Sequence, residues 1–136
     1  MNISFKINHA SPSPIEYIEL RVEGGLSRKS LEAATIGLNN TLFSVCIYDQ
    51  STLIGLGRVV GDGGTVFHIV DIVVKPSYQG QGLGKVIMKE IMNYLEKNTY
   101  PGSYVSLIAD DPANRLYEKF GFQYTYPKSH GMYKMY

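Results

Sequence analysis

The chain has 136 residues, 44% of them hydrophobic, and its 13 Lys and Arg against 12 Asp and Glu leave a formal charge of +1. That length holds one domain, residues 1–136, with a single substantial core. The near-neutral charge without a basic cluster leaves nucleic-acid binding unsupported, and no apolar run approaches the roughly 18 residues of a membrane span.

Asn2, Lys6, Asn8 and His9 interrupt the N-terminus before a leader-like apolar stretch forms, so a soluble, cytoplasmic protein is expected. Asn2 to Asn8 alternates as a short strand. Pro12 and Pro14 then open a helix through Ile15, Ile18, Leu20 and Val22 that Gly24-Gly25 stops, and Ser27 is the predicted N-cap of a second helix ending near Gly37. Strands are predicted over Leu42–Tyr48, Leu53–Val60 and Thr65–Val74, with Gly61-Asp62-Gly63-Gly64 as a hairpin turn that Asp62 serves. Cys46 is the only cysteine, which excludes an internal disulfide and argues against a cysteine metal site; its apolar strand setting makes it a packing residue. Leu83, Val86, Ile87, Ile91, Tyr94 and Leu95 recur at helical spacing over Leu83–Lys97. A strand at Tyr104–Ile108, a helix over Asp111–Phe120 and two closing strands from Gly121-Phe122 complete the order.

The most informative segment is Gln79-Gly80-Gln81-Gly82-Leu83-Gly84-Lys85, a glycine-rich turn between a strand and an amphipathic helix. Such a turn aims backbone N–H groups and the positive end of the helix dipole at one point, where a phosphate or pyrophosphate can sit. A dinucleotide fingerprint needs G-x-G-x-x-G, but the glycines fall at 80, 82 and 84. No acidic residue closes the strand from Tyr104 to Ile108 either. A Walker A loop needs a Ser or Thr after Gly-Lys and a glycine five positions before it, where Val86 and Gln79 stand.

The pattern that fits is Q-x-x-G-x-G after the strand Ile69–Val74, and with it the segment resembles motif A of the GNAT superfamily, the acetyl-CoA-dependent N-acetyltransferases. Asn114-Arg115-Leu116-Tyr117-Glu118-Lys119-Phe120-Gly121-Phe122 resembles motif B of the same superfamily, and the element order follows the superfamily's arrangement over most of the chain. The resemblance implies an α/β fold: a mixed, mostly antiparallel sheet splayed between its fourth and fifth strands and flanked by about four helices. It also implies acetyl-CoA as cofactor and no metal. The diphosphate would lie on Gln79, Gly80, Gln81, Gly82, Leu83, Gly84 and Lys85, and the pantetheine and thioester on the backbone of Ile72, Val73 and Val74. Asn114 would contact the pantetheine region and Tyr117 would lie near the sulfur.

A tyrosine suits that place chemically, because a phenol with a reference pKa of about 10 keeps its proton at pH 7 and can donate it to a departing thiolate. Tyr117 is therefore the candidate general acid. His68 occupies the strand position where superfamily members place a general base, and Asp71 is the reserve; alternation puts Asp71 on the opposite face of the strand unless a bulge reverses it. The segment from His68 to Val74 is close to the glucosamine-phosphate acetyltransferase pattern, but Val70 replaces an acidic residue there, against an amino-sugar-phosphate acceptor. The expected acceptor is a small-molecule amine, held by the loop Glu23–Arg28 and by Tyr124, Tyr126, His130 and Tyr133. Arg58 is open between a solvated strand residue and a substrate contact. The alternatives are a non-catalytic acyl-CoA-binding module and an enzyme acting on a protein amine. A homodimer accords with the superfamily and with the tyrosine-rich C-terminus.

Overall fold

The computed structural model describes residues 5–136. Of the strand expected at 2–8, β1 covers Lys6–Asn8, and residues 2–4 lie outside the described residues. Helix α1 (Pro14–Glu23) starts where the sequence supplies a full set of capping groups. Ser13 Oγ accepts from the Glu16 N–H at 3.2 Å, the Glu16 carboxylate accepts from the Ser13 N–H at 3.1 Å, and Pro14 needs no partner for an N–H it lacks. Helix α2 is Leu31–Leu38, and its cap is Ser30, not the expected Ser27. Ser30 Oγ reaches the Ala33 N–H at 3.0 Å, while Ser27 is occupied by Arg21.

Strands β2 (Phe43–Asp49), β3 (Thr52–Gly61) and β4 (Val66–Val74) form an antiparallel meander, and β5 (Tyr104–Leu107) adds in parallel to β4. The sheet order is β1-β2-β3-β4-β5. Asp62 ties the β3–β4 hairpin: its carboxylate accepts from the Thr65 hydroxyl and the N–H groups of Gly64, Thr65 and Val66, which hold it far below the usual carboxylate range.

A 3-10 turn, Pro76–Tyr78, leads to helix α3 (Leu83–Asn98), and a short α4 (Asn114–Glu118) follows β5. Helix α3 buries Leu83, Ile87, Met88, Ile91 and Leu95 on one sheet face against Val45, Ile47, Ile54, Val59, Phe67 and Ile69. Helices α1 and α2 cover the other face, where Tyr17, Leu20, Ala34 and Leu38 meet Cys46, Leu53, Leu56 and Val73. Cys46 is wholly buried there and its thiol is pushed up to about 12 by burial, which fits packing rather than reactivity.

The two closing strands are absent from the described residues. Residues 123–136 are all exposed, so no buried face fixes a register for the alternating tyrosines. Pro127 has no N–H to give a ladder, and Thr125 and Ser129 close a turn around it, with Ser129 N–H donating to the Thr125 carbonyl at 3.1 Å.

Candidate active site

The site begins where two strands part. Pairing between β4 and β5 runs from Val66 opposite Tyr104 to Ile69 opposite Leu107 and then stops, which leaves the β5-side edge of Val70–Val74 bare. Along that bare stretch β4 carries a bulge. Val73 faces Leu56 and Val70 faces Arg58, so β4 spends one residue more than β3 across this interval, and Asp71 takes up the excess with a left-handed φ of 59°. The bulge swaps the faces of the strand. Before it, odd-numbered Phe67 and Ile69 lie in the α3-side core; after it, odd-numbered Val73 lies in the α1–α2 core. Asp71 consequently faces α1, reversing the expectation from simple alternation.

There Asp71 is no free base. Its carboxylate accepts from Arg58 at 2.6 Å, from the Tyr17 hydroxyl at 2.7 Å and from Arg21. Arg21 spans two elements, since its Nε and Nη2 also donate to the carbonyl and hydroxyl of Ser27, both at 3.1 Å. Arg58 further donates to Thr41 Oγ1 at 3.0 Å and to the Gly37 carbonyl at 2.8 Å, near the end of α2. It is buried, against the reading of it as a solvated strand residue. Burial first, and then the charge of Asp71, push the Tyr17 phenol up to about 12. A charge at Arg21, one helical turn from buried Tyr17 on an apolar face, is the sequence signal that could have revealed this cluster. Its partners, remote in the chain, left none.

Gly24 also shapes this wall. A Cβ there would approach Val73 Cγ2 to 2.1 Å, so only glycine lets the α1–α2 loop descend onto β4.

At the other end of the bare stretch lies the glycine-rich turn. Gly80 and Gly82 both have φ of 82°, and a Cβ at either would meet nothing within 4 Å, so conformation and not crowding demands glycine. Gly82 caps α3 without a side-chain bond. Among the described residues, the N–H groups of residues 80–85 meet no acceptor within the protein. They stand with the positive end of the α3 dipole over a cavity of about 440 Å3 lined by Ile72, Val73, Val74, Gln79, Leu116 and Tyr117 together with the turn itself. Unspent donors, a helix end and room beside them fit the diphosphate of coenzyme A. Gln79 donates to the Val74 carbonyl at 3.0 Å and so fixes the strand end to the turn. A Gly82→Ala variant must adopt a left-handed conformation costing about 1–2 kcal/mol, and the turn re-aims its amides. Calorimetry is expected to show about tenfold weaker acetyl-CoA binding or worse with thermal stability lowered only modestly.

Tyr117 is where three cavities meet. It lines the cavity at the turn, a cleft of about 830 Å3 under the α1–α2 loop, and a smaller cavity of about 340 Å3 under the C-terminal segment. The ring is buried, and the hydroxyl has no hydrogen-bond partner among the described residues. Burial, then the charge of Asp110, raise this phenol above its ordinary value, so it is protonated at neutral pH. His68 lines both the large cleft and the smaller cavity, and its Nδ1 lies 2.8 Å from Ser106 Oγ on β5, directly opposite in register. That contact orients the ring and leaves Nε2 uncommitted.

Asn114 shares with Tyr117 the smaller cavity, as their spacing requires, and donates from Nδ2 to the Tyr124 hydroxyl at 2.5 Å. Of the expected acceptor-binding residues, Gly24 to Ser27 line the large cleft, and Tyr124 and His130 line the smaller cavity. Glu23 instead approaches Lys75 at 3.7 Å, and Tyr126 and Tyr133 stand exposed outside both. Sequence reasoning missed Ser106, Asp110 and Asp111; the two aspartates line the large cleft from the loop between β5 and α4.

Comparison with known proteins gives consistent results. The model of the GNAT acetyltransferase domain matches residues 23–131. The uncharacterized N-acetyltransferase ycf52 of Gracilaria tenuistipitata is 32% identical over 105 residues, covering 72% of this chain and 55% of that protein. The glucosamine 6-phosphate N-acetyltransferase of Trypanosoma brucei is 39% identical over 80 residues, covering 49% of this chain and 52% of that protein. The chain thus spans about half the length of the curated relatives it matches. A solved structure from meticillin-resistant Staphylococcus aureus, a protein of unknown function described as a probable acetyltransferase, is 53% identical, covers 97% of this chain and 99% of its own, and superposes with a TM-score of 0.93.

Proposed function

This chain belongs to the GNAT acetyltransferase family, and from that premise we propose that it transfers the acetyl group of acetyl-CoA directly to a primary amine of a small molecule. The observation that carries the reading is the meeting of the turn cavity and the large cleft at Tyr117, which sets a cofactor cradle and an acceptor space on either side of one protonated phenol.

Acetyl-CoA, when bound, supplies an acyl thioester. The amides of residues 80–85 hold its diphosphate. The bare edge of Ile72, Val73 and Val74 offers main-chain groups to its amides and carbonyl, in a place where fixed donors stabilise developing charge without reorganising. His68, oriented by Ser106, accepts the ammonium proton of the acceptor at Nε2, directly or through one water. Tyr117 holds its proton at Oη for the departing sulfur. Asp71 and its two arginines keep the bulge, and with it the edge of β4, in place.

Free CoA release measured with a panel of small amines tests this reading; turnover beyond buffer hydrolysis is expected, and its absence across polyamines, arylalkylamines, amino acids and amino sugars would contradict it. His68→Ala is expected to lower kcat by about a hundredfold or more, with acetyl-CoA affinity unchanged. Retention of the rate would remove His68 from the mechanism.

A further inference from the structure

The acceptor cleft is electrically two-ended. Its reacting end carries His68, Tyr117, Asp110 and Asp111, and Arg21 near the end of α1, Lys29 on the α1–α2 loop and Asp71 on the bulge line the same cleft. Asp110 is close enough to Tyr117 to act on its ionisation, so the negative end coincides with the place where an amine must arrive.

The positive end has a surplus. Arg21, Arg58 and Asp71 have side chains no more than 8% exposed, and together they are two cations against one anion. Tyr17 does not balance the count, because it is neutral at physiological pH. The end of α2 takes one Arg58 nitrogen through the Gly37 carbonyl, yet no second carboxylate reaches the cluster among the described residues. Lys29 stands half-buried on the same loop, without a carboxylate within ion-pair distance among the described residues. A buried surplus charge beside a free ammonium is costly unless an anion arrives to offset it.

We infer that the acceptor is a zwitterionic small molecule, whose ammonium enters between His68, Asp110 and Tyr117 and whose anionic group, a phosphate or a carboxylate, is received by Lys29 in the field of Arg21. The inference rests on the small-molecule reading above and specifies its substrate.

Matched acceptors test it: glucosamine 6-phosphate against glucosamine, and β-alanine against its methyl ester. The anionic member of at least one pair is expected to show about tenfold higher kcat/KM or more, the worth of one charge-assisted hydrogen bond. The pair that responds identifies phosphate or carboxylate. Lys29→Gln, a change at a half-exposed loop position, is expected to erase that preference while leaving the neutral member's kcat/KM unchanged. Equal or better use of the neutral members, or a preference that survives Lys29→Gln, would overturn the inference. Should none be acetylated, calorimetry with CoA-loaded protein separates the two readings: Lys29-dependent binding of the anionic member upholds the anion-receiving end of the cleft and counts against transfer alone, and no binding of either anionic member overturns the inference.

Discussion

Replacing Tyr117 with phenylalanine is expected to lower kcat by about a hundredfold or more, within the range that loss of a positioned proton donor produces, and to leave acetyl-CoA affinity nearly unchanged. The substitution removes one oxygen and keeps the ring, which packs in the α3-side core, so the fold should be undisturbed. That hydroxyl has no protein partner among the described residues, so its removal leaves no buried group unsatisfied. The pH dependence supplies a second signature. An acid must carry its proton to act, and burial with Asp110 nearby raises this phenol above its ordinary value of 10.0. The wild-type rate should therefore hold through mildly alkaline pH and fall only beyond the ordinary phenol range. The variant should lack that descending limb. An unchanged kcat, or a variant that keeps the limb, would show that the proton comes from another source.

Asp71→Asn is expected to destabilise the protein by about 3–5 kcal/mol, as removal of one member of a buried ion cluster does. The amide keeps the shape of the carboxylate but leaves Arg21 and Arg58 buried with no counter-ion. It also weakens the bonds that hold Asp71 in its left-handed conformation, so the bulge relaxes and the edge of Ile72–Val74 moves. Urea denaturation should report the lost stability, and acetyl-CoA turnover should fall further than the folded fraction accounts for. Replacing Arg21, Arg58 and Asp71 together by apolar residues of similar volume should restore much of the stability but not the activity. If Asp71→Asn were neutral in both measurements, the cluster would have no part in shaping β4.

What could be read from the chain and what could not divide along a physical line. The prolines that open α1, the apolar stripe of α3 and the glycines before it are local patterns in which each residue's neighbours in sequence are its neighbours in space. All are found where the spacing put them. The bulge was not legible as a certainty, because Ile69 to Val74 is apolar on both sides and either register buries suitable side chains. Only Asp71 betrays it, and its partners Arg21 and Arg58 lie 50 and 13 residues away. Ser27 and Ser30 are equally good caps by type, and the choice between them was made by Arg21, which engages Ser27. The alternating tyrosines near the C-terminus have strand character without a buried face to hold it. Asn114, assigned by resemblance to the pantetheine region, lines the smaller cavity and meets the Tyr124 hydroxyl, a partner that lies in the C-terminal segment and has no local signature in the sequence.

The main-chain amides of residues 80–85 are proposed to receive the diphosphate of coenzyme A and thereby to set the thioester beside Tyr117. In a crystal structure of the complex with acetyl-CoA, diphosphate oxygens are expected within hydrogen-bond distance of those amides, with the sulfur facing the Tyr117 hydroxyl. A nucleotide bound elsewhere at saturating concentration, with no phosphate oxygen at the turn, would contradict it.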